Sequence, residues 1–278
     1  MRSQQVIFIT GCSSGIGAAL ADEFQQRGHR VYATARSEAA LQALAARGLH
    51  AVALDVNHAD SITAAMARVH DECGRIDLLI NNAGYGQFGA MIDIGREALR
   101  RQFETNVFAP VDICRLALPL LRAAAAARIA NIGSVSGVVT SPFAGAYCAS
   151  KAALHAVSDA LRMELAPFGI RVITVQPGGI VSQFGAVGEA QVCLPENSVY
   201  RAIEKFVRAR ARLSQQGASP VEDFARELAT KLLSAHPAAE IKLGANSTRL
   251  TLFKRCLPTA LLDRKMSKMF GLDRLTAR

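Results

Sequence analysis

Tyr147 and Lys151 form the residue pair with the clearest potential for proton chemistry, because they lie four positions apart in a segment with helical spacing. Residues i and i+4 share one face of an α-helix, so the phenol and the ammonium group are expected to be neighbours. A nearby cation favours the phenolate, which predicts a pKa for Tyr147 below its usual value of about 10. A phenol tuned in this way can donate and accept a proton near neutral pH.

Ser134 precedes this pair and follows directly after a predicted strand. Ligands of open α/β sheets bind at the carboxyl ends of the strands, so the serine hydroxyl is expected to hydrogen-bond a substrate oxygen. A Tyr-x-x-x-Lys spacing alone is common and is most often a surface pair. It gains significance here because a glycine-rich turn also occurs near the N-terminus.

That glycine-rich turn covers residues 10–17 and lies between an apolar run and an amphipathic run. Glycine permits a sharp turn and a close approach of the backbone to a pyrophosphate, and the following helix N-terminus offers unpaired N–H groups and partial positive charge. In a strand–turn–helix context the segment predicts dinucleotide binding rather than an ordinary turn. The residues expected to contact the cofactor are Gly11, Ser13, Ser14, Gly15, Ile16 and Gly17.

The end of the second predicted strand distinguishes between the two nicotinamide cofactors. An acidic residue there would bind the ribose 2′-hydroxyl of NAD, but this chain has Arg36. A guanidinium group suits a 2′-phosphate, which favours NADP(H). NAD(H) stays possible, since an arginine at the start of a loop is also typical of a solvated surface residue.

Two further strand ends carry candidate cofactor contacts. After the third predicted strand, Asp55 is expected either to reach the adenine ring, together with Val56, or to cap the next helix. After the fourth strand, small residues allow the chain to pass close to the cofactor. The residues concerned there are Asn82, Ala83 and Gly84.

Short apolar strands and amphipathic helices alternate regularly along residues 6–175, and these elements must position the polar residues. This alternation predicts parallel strands joined by right-handed helical crossovers. The expected fold is therefore a single α/β domain of the Rossmann type, with a doubly wound parallel sheet flanked by helices on both faces. Pro110 and Pro119 are expected to bend or interrupt a long helical stretch over 96–126.

Beyond Pro177 the regular pattern fades. A small substrate cap is expected over about 182–218, after the sixth strand, and a final strand at Glu240–Leu243. A basic C-terminal extension is expected over about 246–278. The whole chain, 1–278, is interpreted as one domain.

Five motifs occur in one order along residues 6–182: the glycine turn, Asn81-Asn82-Ala83-Gly84, Ser134, Tyr147-Cys148-Ala149-Ser150-Lys151 and Pro177-Gly178. In order and spacing they resemble the short-chain dehydrogenase/reductase family. Residues 33–36 and the basic extension are similar to the 17β-hydroxysteroid dehydrogenase-like branch of that family.

The resemblance implies roles for individual residues. Tyr147 would be the acid and base, Lys151 would also hold the nicotinamide ribose, and Ser134 would orient the carbonyl. Asn106 would support a water-linked proton relay. Four residues would flank the nicotinamide, although the family usually has threonine at the last of them: Pro177, Gly178, Ile180 and Ser182.

The implied activity is reversible hydride transfer between NADP(H) and a carbonyl or alcohol. An apolar substrate, similar to a steroid, retinoid or lipid, is suggested by the resemblance and by apolar residues in and near the cap, namely Phe143, Phe184, Val187, Val192 and Leu194. Two alternatives stay open: an NAD-dependent alcohol dehydrogenase of the same fold, and a dinucleotide-binding sensor without turnover. The family resemblance also implies a homo-dimer or homo-tetramer.

The net charge of +9 is concentrated at the C-terminus. Residues 249–278 contain eight Lys or Arg against two Asp, interleaved with Leu, Phe and Met. Such a basic amphipathic segment is expected either to pack on the body or a second subunit, or to contact an anionic membrane surface. Nucleic acid binding is not expected.

The six cysteines and six histidines show no ligand pattern. Neither a disulfide framework nor a metal site is expected, and free thiols are typical of a reducing cytoplasm. The histidines are interpreted as mostly surface or loop residues. The first residues contain no apolar run long enough for a signal peptide, so a cytoplasmic protein is expected, with peripheral membrane contact possible through the C-terminal extension.

Overall fold

The computed structural model describes residues 4–275, apart from the side chain of Arg255. Arg278, which contributes to the basic count of the sequence, lies outside the described residues. Seven strands occur in the described part of the chain: β1 Val6–Ile9, β2 Arg30–Ala35, β3 His50–Ala53, β4 Leu78–Asn81, β5 Arg128–Ile132, β6 Arg171–Pro177 and β7 Glu240–Leu243. They pair in parallel in the order β3-β2-β1-β4-β5-β6-β7, which confirms the predicted doubly wound sheet.

The helices of the described residues connect these strands and cover the sheet. They are α1 Gly15–Gln26, α2 Glu38–Ala46, α3 Ala59–Cys73, α4 Arg96–Phe103, α5 Ala109–Arg122, α6 Gly145–Leu165, α7 Phe184–Ala190, α8 Glu204–Arg212, α9 Val221–Leu232, α10 Ser247–Cys256 and α11 Thr259–Met269. One face of the sheet packs against α1, α2 and α9, and the other against α3, α5 and the end of α6. No helix in this part of the chain is long and apolar enough to cross a membrane.

The apolar pattern of β1 shows why the sheet is covered on both faces. Ile7 and Ile9 lie in one core cluster, whereas Val6 and Phe8 lie in the other. Successive side chains of a strand point to opposite faces, so a strand buried on both sides needs a continuous apolar run. The carboxyl ends of the strands then form one common edge, where the polar residues of interest emerge.

The helical stretch from α4 to α5 differs from the sequence-based expectation. Its irregularity is a π-helical turn at Glu104–Phe108, which carries Asn106, and it ends before Pro110. Pro110 follows this turn directly, in the first turn of α5, where it has no N–H to donate back to the preceding turn. Pro119 is accommodated inside α5 without an interruption, whereas the irregular turn directly precedes Pro110.

The segment after β6 forms helices although its sequence pattern is irregular. It contains α7 and α8, which lie over the carboxyl edge of the sheet as a cap. The C-terminal α10 and α11 follow β7 and reach back to this cap. Phe270 is buried just after α11 and packs edge-on against Phe143, with 6.4 Å between the ring centroids.

Candidate active site

A continuous cavity of about 1430 Å³ runs along the carboxyl edge of the sheet. The cap and the C-terminal helices line its other side. The cavity brings together eighteen of the twenty residues that the sequence predicted for the site: Gly11, Ser13, Ser14, Gly15, Ile16, Arg36, Asp55, Val56, Asn82, Ala83, Gly84, Ser134, Tyr147, Lys151, Pro177, Gly178, Ile180 and Ser182. The other two, Gly17 and Asn106, lie directly behind its wall and support lining residues.

The glycine turn has the backbone conformation that only glycine adopts easily. Gly11 has a φ of +71° and Gly15 a φ of +60°. A side chain at Gly11 would press against Ala83, and one at Gly17 would collide with the carbonyl oxygen of Gly11 and the amide of Asn82. These three positions therefore keep a smooth backbone surface at the N-terminus of α1, which fits the close approach of a pyrophosphate.

Thr10 and Asn82 fasten this turn to the end of β4. Asn82 Nδ2 donates to the carbonyl oxygens of Thr10 and Gly11, each at 2.9 Å. Thr10 Oγ1 accepts from the backbone N–H groups of Asn82 and Ala83 at 2.9 and 3.0 Å. The turn and the 82–84 segment are thus held as one unit, and Asn82 has a bracing position in addition to lining the cavity.

Arg36 and Asp55 lie at the far end of the cavity, after β2 and β3. Arg36 is exposed and makes no hydrogen bond or ion pair with the residues that the structure describes. Asp55 Oδ1 accepts from the backbone N–H of Asn57 at 3.0 Å, in the turn before α3, while His58 is the residue that precedes the helix. Asp55 therefore stabilises the turn before α3 and faces the cavity, but it does not cap the helix, so the predicted capping role is wrong.

Tyr147 and Lys151 lie one helical turn apart on α6, as predicted, but the ammonium does not reach the phenol oxygen. Lys151 Nζ lies over the Tyr147 ring, 6.0 Å from its centroid, and donates to the carbonyl oxygen of Ile132 at 2.7 Å. Burial raises the pKa of Tyr147 to about 12, and the Ser134 hydroxyl and the Arg210 guanidinium oppose this only in part. The predicted lowering of this pKa is therefore wrong for this structure, because desolvation outweighs the nearby charges.

Burial also changes the acidity of Lys151. Its ammonium is removed from water, which lowers its pKa to about 8. The carbonyl of Ile132 supplies one hydrogen-bond acceptor, so two N–H groups of the protonated amine are left to bind another partner. Lys151 can therefore donate hydrogen bonds to a ligand that lies beside Tyr147.

Ser134 is held by a histidine that the sequence analysis assigned to the surface or loops. The backbone N–H of Ser134 donates to His155 Nε2 at 3.3 Å, and Ser134 Oγ accepts from the N–H of Ser136 at 3.0 Å. Burial and the charge of Lys151 lower the pKa of His155 to about 4, so the ring is neutral and Nε2 is free to accept. His155 lies four residues after Lys151, and this spacing is the signal that would have placed it on the same helix face.

Asn106 and Gln102 fix the segment that passes under the reacting groups. Asn106 exchanges hydrogen bonds with the backbone of Tyr85, donating at 3.0 Å and accepting at 3.2 Å, and it donates to Ser150 Oγ at 3.1 Å. Gln102 is fully buried and bonds the backbone of Tyr85 and Gln87. A side chain at Gly84 would contact both Asn106 Oδ1 and Lys151 Nζ, so these two residues face each other across this glycine.

Two phenylalanine rings lie beside Tyr147 in the cavity. Phe184 of α7 lies 5.3 Å from the Tyr147 ring and Phe88 lies 6.1 Å from it, measured between centroids. Phe184 and Val187 line the cavity as predicted. Phe143 does not: it is buried in a separate cluster, against which Val192 and Leu194 also pack.

The C-terminal extension forms the outer wall of the cavity. Its lining residues are Arg249, Leu250, Phe253, Lys254, Leu257, Leu262, Lys265, Met266, Met269 and Phe270. Arg249 and Lys265 both lie over the Phe253 ring, at 5.4 and 5.2 Å from its centroid. The extension packs on the body, while Leu252 and Leu261 remain exposed. Cys256, at the end of α10, is also exposed and is a free thiol.

A dinucleotide-binding sheet, a glycine turn and a Ser–Tyr–Lys group facing one cavity define an oxidoreductase of the short-chain dehydrogenase class. Residues 5–191 match the family model described as short chain dehydrogenase. The chain belongs to this family. A short-chain dehydrogenase/reductase of Pestalotiopsis microspora is 32% identical, over 98% of this chain and 96% of that protein.

Other relatives and solved structures agree with this assignment. The NADPH-dependent 1-acyldihydroxyacetone phosphate reductase of Saccharomyces cerevisiae is 29% identical over 99% of this chain and 94% of its own length. A short-chain dehydrogenase of Streptomyces avermitilis superposes with a TM-score of 0.80, at 30% identity over all of both chains. A short-chain dehydrogenase of Burkholderia cenocepacia in complex with NADP has a TM-score of 0.73, at 26% identity over 94% of this chain and 97% of that chain.

Proposed function

We propose that the protein is an NADPH-preferring oxidoreductase that interconverts a carbonyl group and an alcohol, with Tyr147 as the acid and base. The observation that carries the proposal is that Ser134, Tyr147 and Lys151 face one cavity that the glycine turn also lines. The yeast relative named as an NADPH-dependent reductase and the Burkholderia structure in complex with NADP support the choice of cofactor.

The residues of the cavity fit an extended dinucleotide. The smooth surface of the glycine turn would receive the pyrophosphate, together with Ser13, Ser14 and Ile16. Arg36 would pair with the 2′-phosphate, and Asp55 and Val56 would lie toward the adenine. At the other end, the nicotinamide and its ribose would be held by Lys151, Asn82, Ala83, Gly84, Pro177, Gly178, Ile180 and Ser182.

When bound, NADPH supplies a hydride for the carbonyl carbon. Tyr147 donates its phenolic proton to the carbonyl oxygen, so one hydride and one proton convert the carbonyl into an alcohol. Ser134 orients this oxygen, and Asn106 supports the water-linked return of a proton to Tyr147. Burial raises the pKa of Tyr147 to about 12, so the phenol carries its proton at neutral pH and can donate it.

Two alternatives from the sequence predict different results: an NAD-dependent alcohol dehydrogenase and a cofactor sensor without turnover. The sensor has no need of a buried Tyr147 with Ser134 beside it, so the site favours an enzyme. An apolar substrate is proposed because Phe88, Phe184 and Val187 line the cavity next to Tyr147. A homo-dimer or homo-tetramer, the absence of nucleic acid binding and a cytoplasmic location stay predictions.

The proposed acid is tested with the variant Tyr147→Phe, which removes one hydroxyl and keeps the ring. Its rate of NADPH-dependent reduction of a panel of apolar ketones should fall by about 10²- to 10⁴-fold, since general acid catalysis is lost. Fluorescence titration with NADPH should give a dissociation constant within about twofold of wild type. Turnover that survives in this variant would overturn the assignment of Tyr147.

The proposed cofactor preference is tested with Arg36→Ala. Titrations of wild type should show tighter binding of NADPH than of NADH, and the variant should lose about 10- to 100-fold in NADPH affinity, the range expected for a charge-assisted contact. Its NADH affinity should change little. Equal binding of both cofactors by wild type would favour the NAD-dependent alternative, and binding of neither would contradict the interpretation of the glycine turn.

A further inference from the structure

Arg210 is a buried cation that the proposed function leaves without a role. It lies on α8 with 8% of its surface exposed, and its Nε donates to Ser141 Oγ at 2.7 Å. Its guanidinium lies 5.5 Å from the centroid of the Phe88 ring. Among the described residues no carboxylate pairs with it, and the ionisable groups that act on its pKa are the Tyr147 phenol and the Cys148 thiol.

A buried guanidinium without a counter-ion is unfavourable unless a further group binds its N–H donors. An arginine stays charged in proteins, and a buried charge is strongly disfavoured unless a counter-ion or several hydrogen bonds compensate it. Ser141 satisfies only Nε, while the two terminal nitrogens make no hydrogen bond with the residues that the structure describes. Neighbouring arginines on the same helix are different: Arg208 and Arg212 are exposed and pair with Glu204 and Glu189.

The guanidinium faces the part of the cavity where the substrate must react. Arg210 lines the cavity, and the Phe88 ring that it covers also packs beside Tyr147. It makes no contact with the glycine turn or with Arg36, which belong to the cofactor end. An anion paired with Arg210 would therefore belong to the substrate and would lie on the same side of the cavity as the reacting carbonyl.

The outer wall of the same cavity carries the cations Arg249, Lys254 and Lys265, and between them it offers an apolar surface that suits an extended chain. Phe253, Leu257, Met266 and Met269 line it, with methionine providing an adaptable apolar surface. The substrate that matches both regions is an amphiphile, with an apolar chain on the C-terminal helices and an anionic group near its carbonyl.

We propose that Arg210 binds the anionic group of the substrate, a carboxylate or a phosphate, and that the enzyme acts on oxo compounds with an anionic head and an apolar chain. This inference rests on the proposed function, because it assumes that a carbonyl reacts at Tyr147. It adds a specificity residue, placed on the cap, to a reaction carried out at the strand ends.

The test compares matched carbonyl compounds that differ in charge. One pair is 4-oxododecanoate and its methyl ester, and the other is dodecanoyl-dihydroxyacetone phosphate and dodecanoyl-dihydroxyacetone. For wild type, kcat/KM with NADPH should be about 10- to 100-fold higher for the anionic member of at least one pair. The pair that shows the preference identifies whether the anion is a carboxylate or a phosphate.

The variants assign this preference to Arg210. Arg210→Met should lower kcat/KM for the anionic member of the pair about 10- to 100-fold more than for the neutral member and leave NADPH affinity within about twofold of wild type, and Arg210→Lys should keep part of the preference. Arg208→Met, an exposed arginine of the same helix, is the matched control and should behave as wild type. Equal losses for the anionic and neutral members in Arg210→Met would show a packing role, and equal use of both members of both pairs by wild type would overturn the proposal.

Calorimetric titration separates this proposal from the proposed function. Binding of 4-oxododecanoate or of the phosphate that depends on Arg210, without reduction of any probe, would support the anion site and contradict the reductase. Reduction that is indifferent to charge in both pairs would support the reductase and contradict the anion site.

Discussion

The strand-end wall of the cavity and its helical wall are built in different ways. At the strand ends, Asn106 and Lys151 donate to backbone carbonyls of neighbouring segments, the backbone N–H of Ser134 donates to the His155 ring, and Ser134, Asn106 and Lys151 are buried. On the helical wall, Arg249, Phe253 and Lys265 are held mainly by cation–ring contacts with one another. Groups that must be placed accurately for a reaction need such backbone bonds, whereas groups that select a substrate can tolerate more freedom.

This difference suggests which parts of the chain determine chemistry and which determine specificity. Changes at the strand ends should alter cofactor binding, folding and rate together, because each residue supports another. Changes on the helices should alter the choice of substrate or surface and leave the reaction itself intact. The following predictions test that distinction in order of decreasing effect.

The largest effect is expected from Gly17→Ala. Its methyl group would force apart the Gly11 carbonyl and the Asn82 amide, which together close the cofactor turn. Overpacking costs about 1 to 3 kcal/mol and reaches or exceeds the upper end of that range where a backbone carbonyl must move, so NADPH affinity should fall by roughly 100-fold or more. Gly95→Ala, where an added methyl group meets open space, is the control. Equal NADPH affinities of the two variants in fluorescence titration would contradict the rigid turn.

An intermediate effect, on the free energy of unfolding at low pH, is expected from the protonation of His155. The pKa of His155 is about 4 in the folded chain and near 6.5 in the unfolded chain. Between pH 6.5 and 4 the imidazole therefore binds a proton in the unfolded chain but stays mostly neutral in the folded chain. The free energy of unfolding should therefore decrease as the pH falls from 6.5 to 4, by about 2 to 3 kcal/mol from this residue. Urea denaturation across this range should show a shallower decrease for His155→Gln. The exposed His58 provides the control variant His58→Gln.

The same protonation should disturb Ser134. A proton on Nε2 would replace an acceptor by a donor, and the bond from the Ser134 N–H would be lost. An unchanged acid slope in His155→Gln would mean that other groups determine the acid stability, and that the strand-end wall is less tightly coupled than we infer.

The smallest effect is expected on the helical wall, where membrane contact of the C-terminal extension stays a prediction. Leu252 and Leu261 are 58% and 52% exposed and lie among basic residues. Weak binding to anionic vesicles is therefore expected, because the leucines can insert between the lipids and the basic residues are attracted to the anionic headgroups. The double variant Leu252→Ser, Leu261→Ser should sediment with phosphatidylserine vesicles a few-fold less than wild type and keep its NADPH affinity. Equal sedimentation would contradict membrane contact through this face.

The sequence predicted the features that depend on residues close together along the chain. The strand–helix alternation, the glycine turn and the Tyr147–Lys151 spacing depend on local order along the chain, and the structure brings these residues to one cavity. It did not predict the acidity of Tyr147, because desolvation depends on Phe88 and Phe184, which come from distant segments. The π-helical turn at Asn106 was likewise not predicted, because both prolines of this helical stretch lie after it.

Arg210 illustrates why the substrate side was harder to predict. It stands in a run that alternates arginine with alanine, which is typical of a solvated helix. Its position three residues after the buried Val207 was the one local signal of an inward face. The counterpart that removes its surface from water, Phe88, lies more than a hundred residues away in the sequence.

The exposed thiol of Cys256 provides a natural site for chemical labelling on the outer wall of the cavity. Cys12, Cys114 and Cys148 are buried, and desolvation raises the pKa of all three thiols, which makes them poor nucleophiles toward alkylating reagents. A maleimide fluorophore should therefore attach first at the end of α10, without any engineered cysteine. Its emission would then report, in real time, whether the C-terminal helices shift when cofactor and amphiphile occupy the cleft.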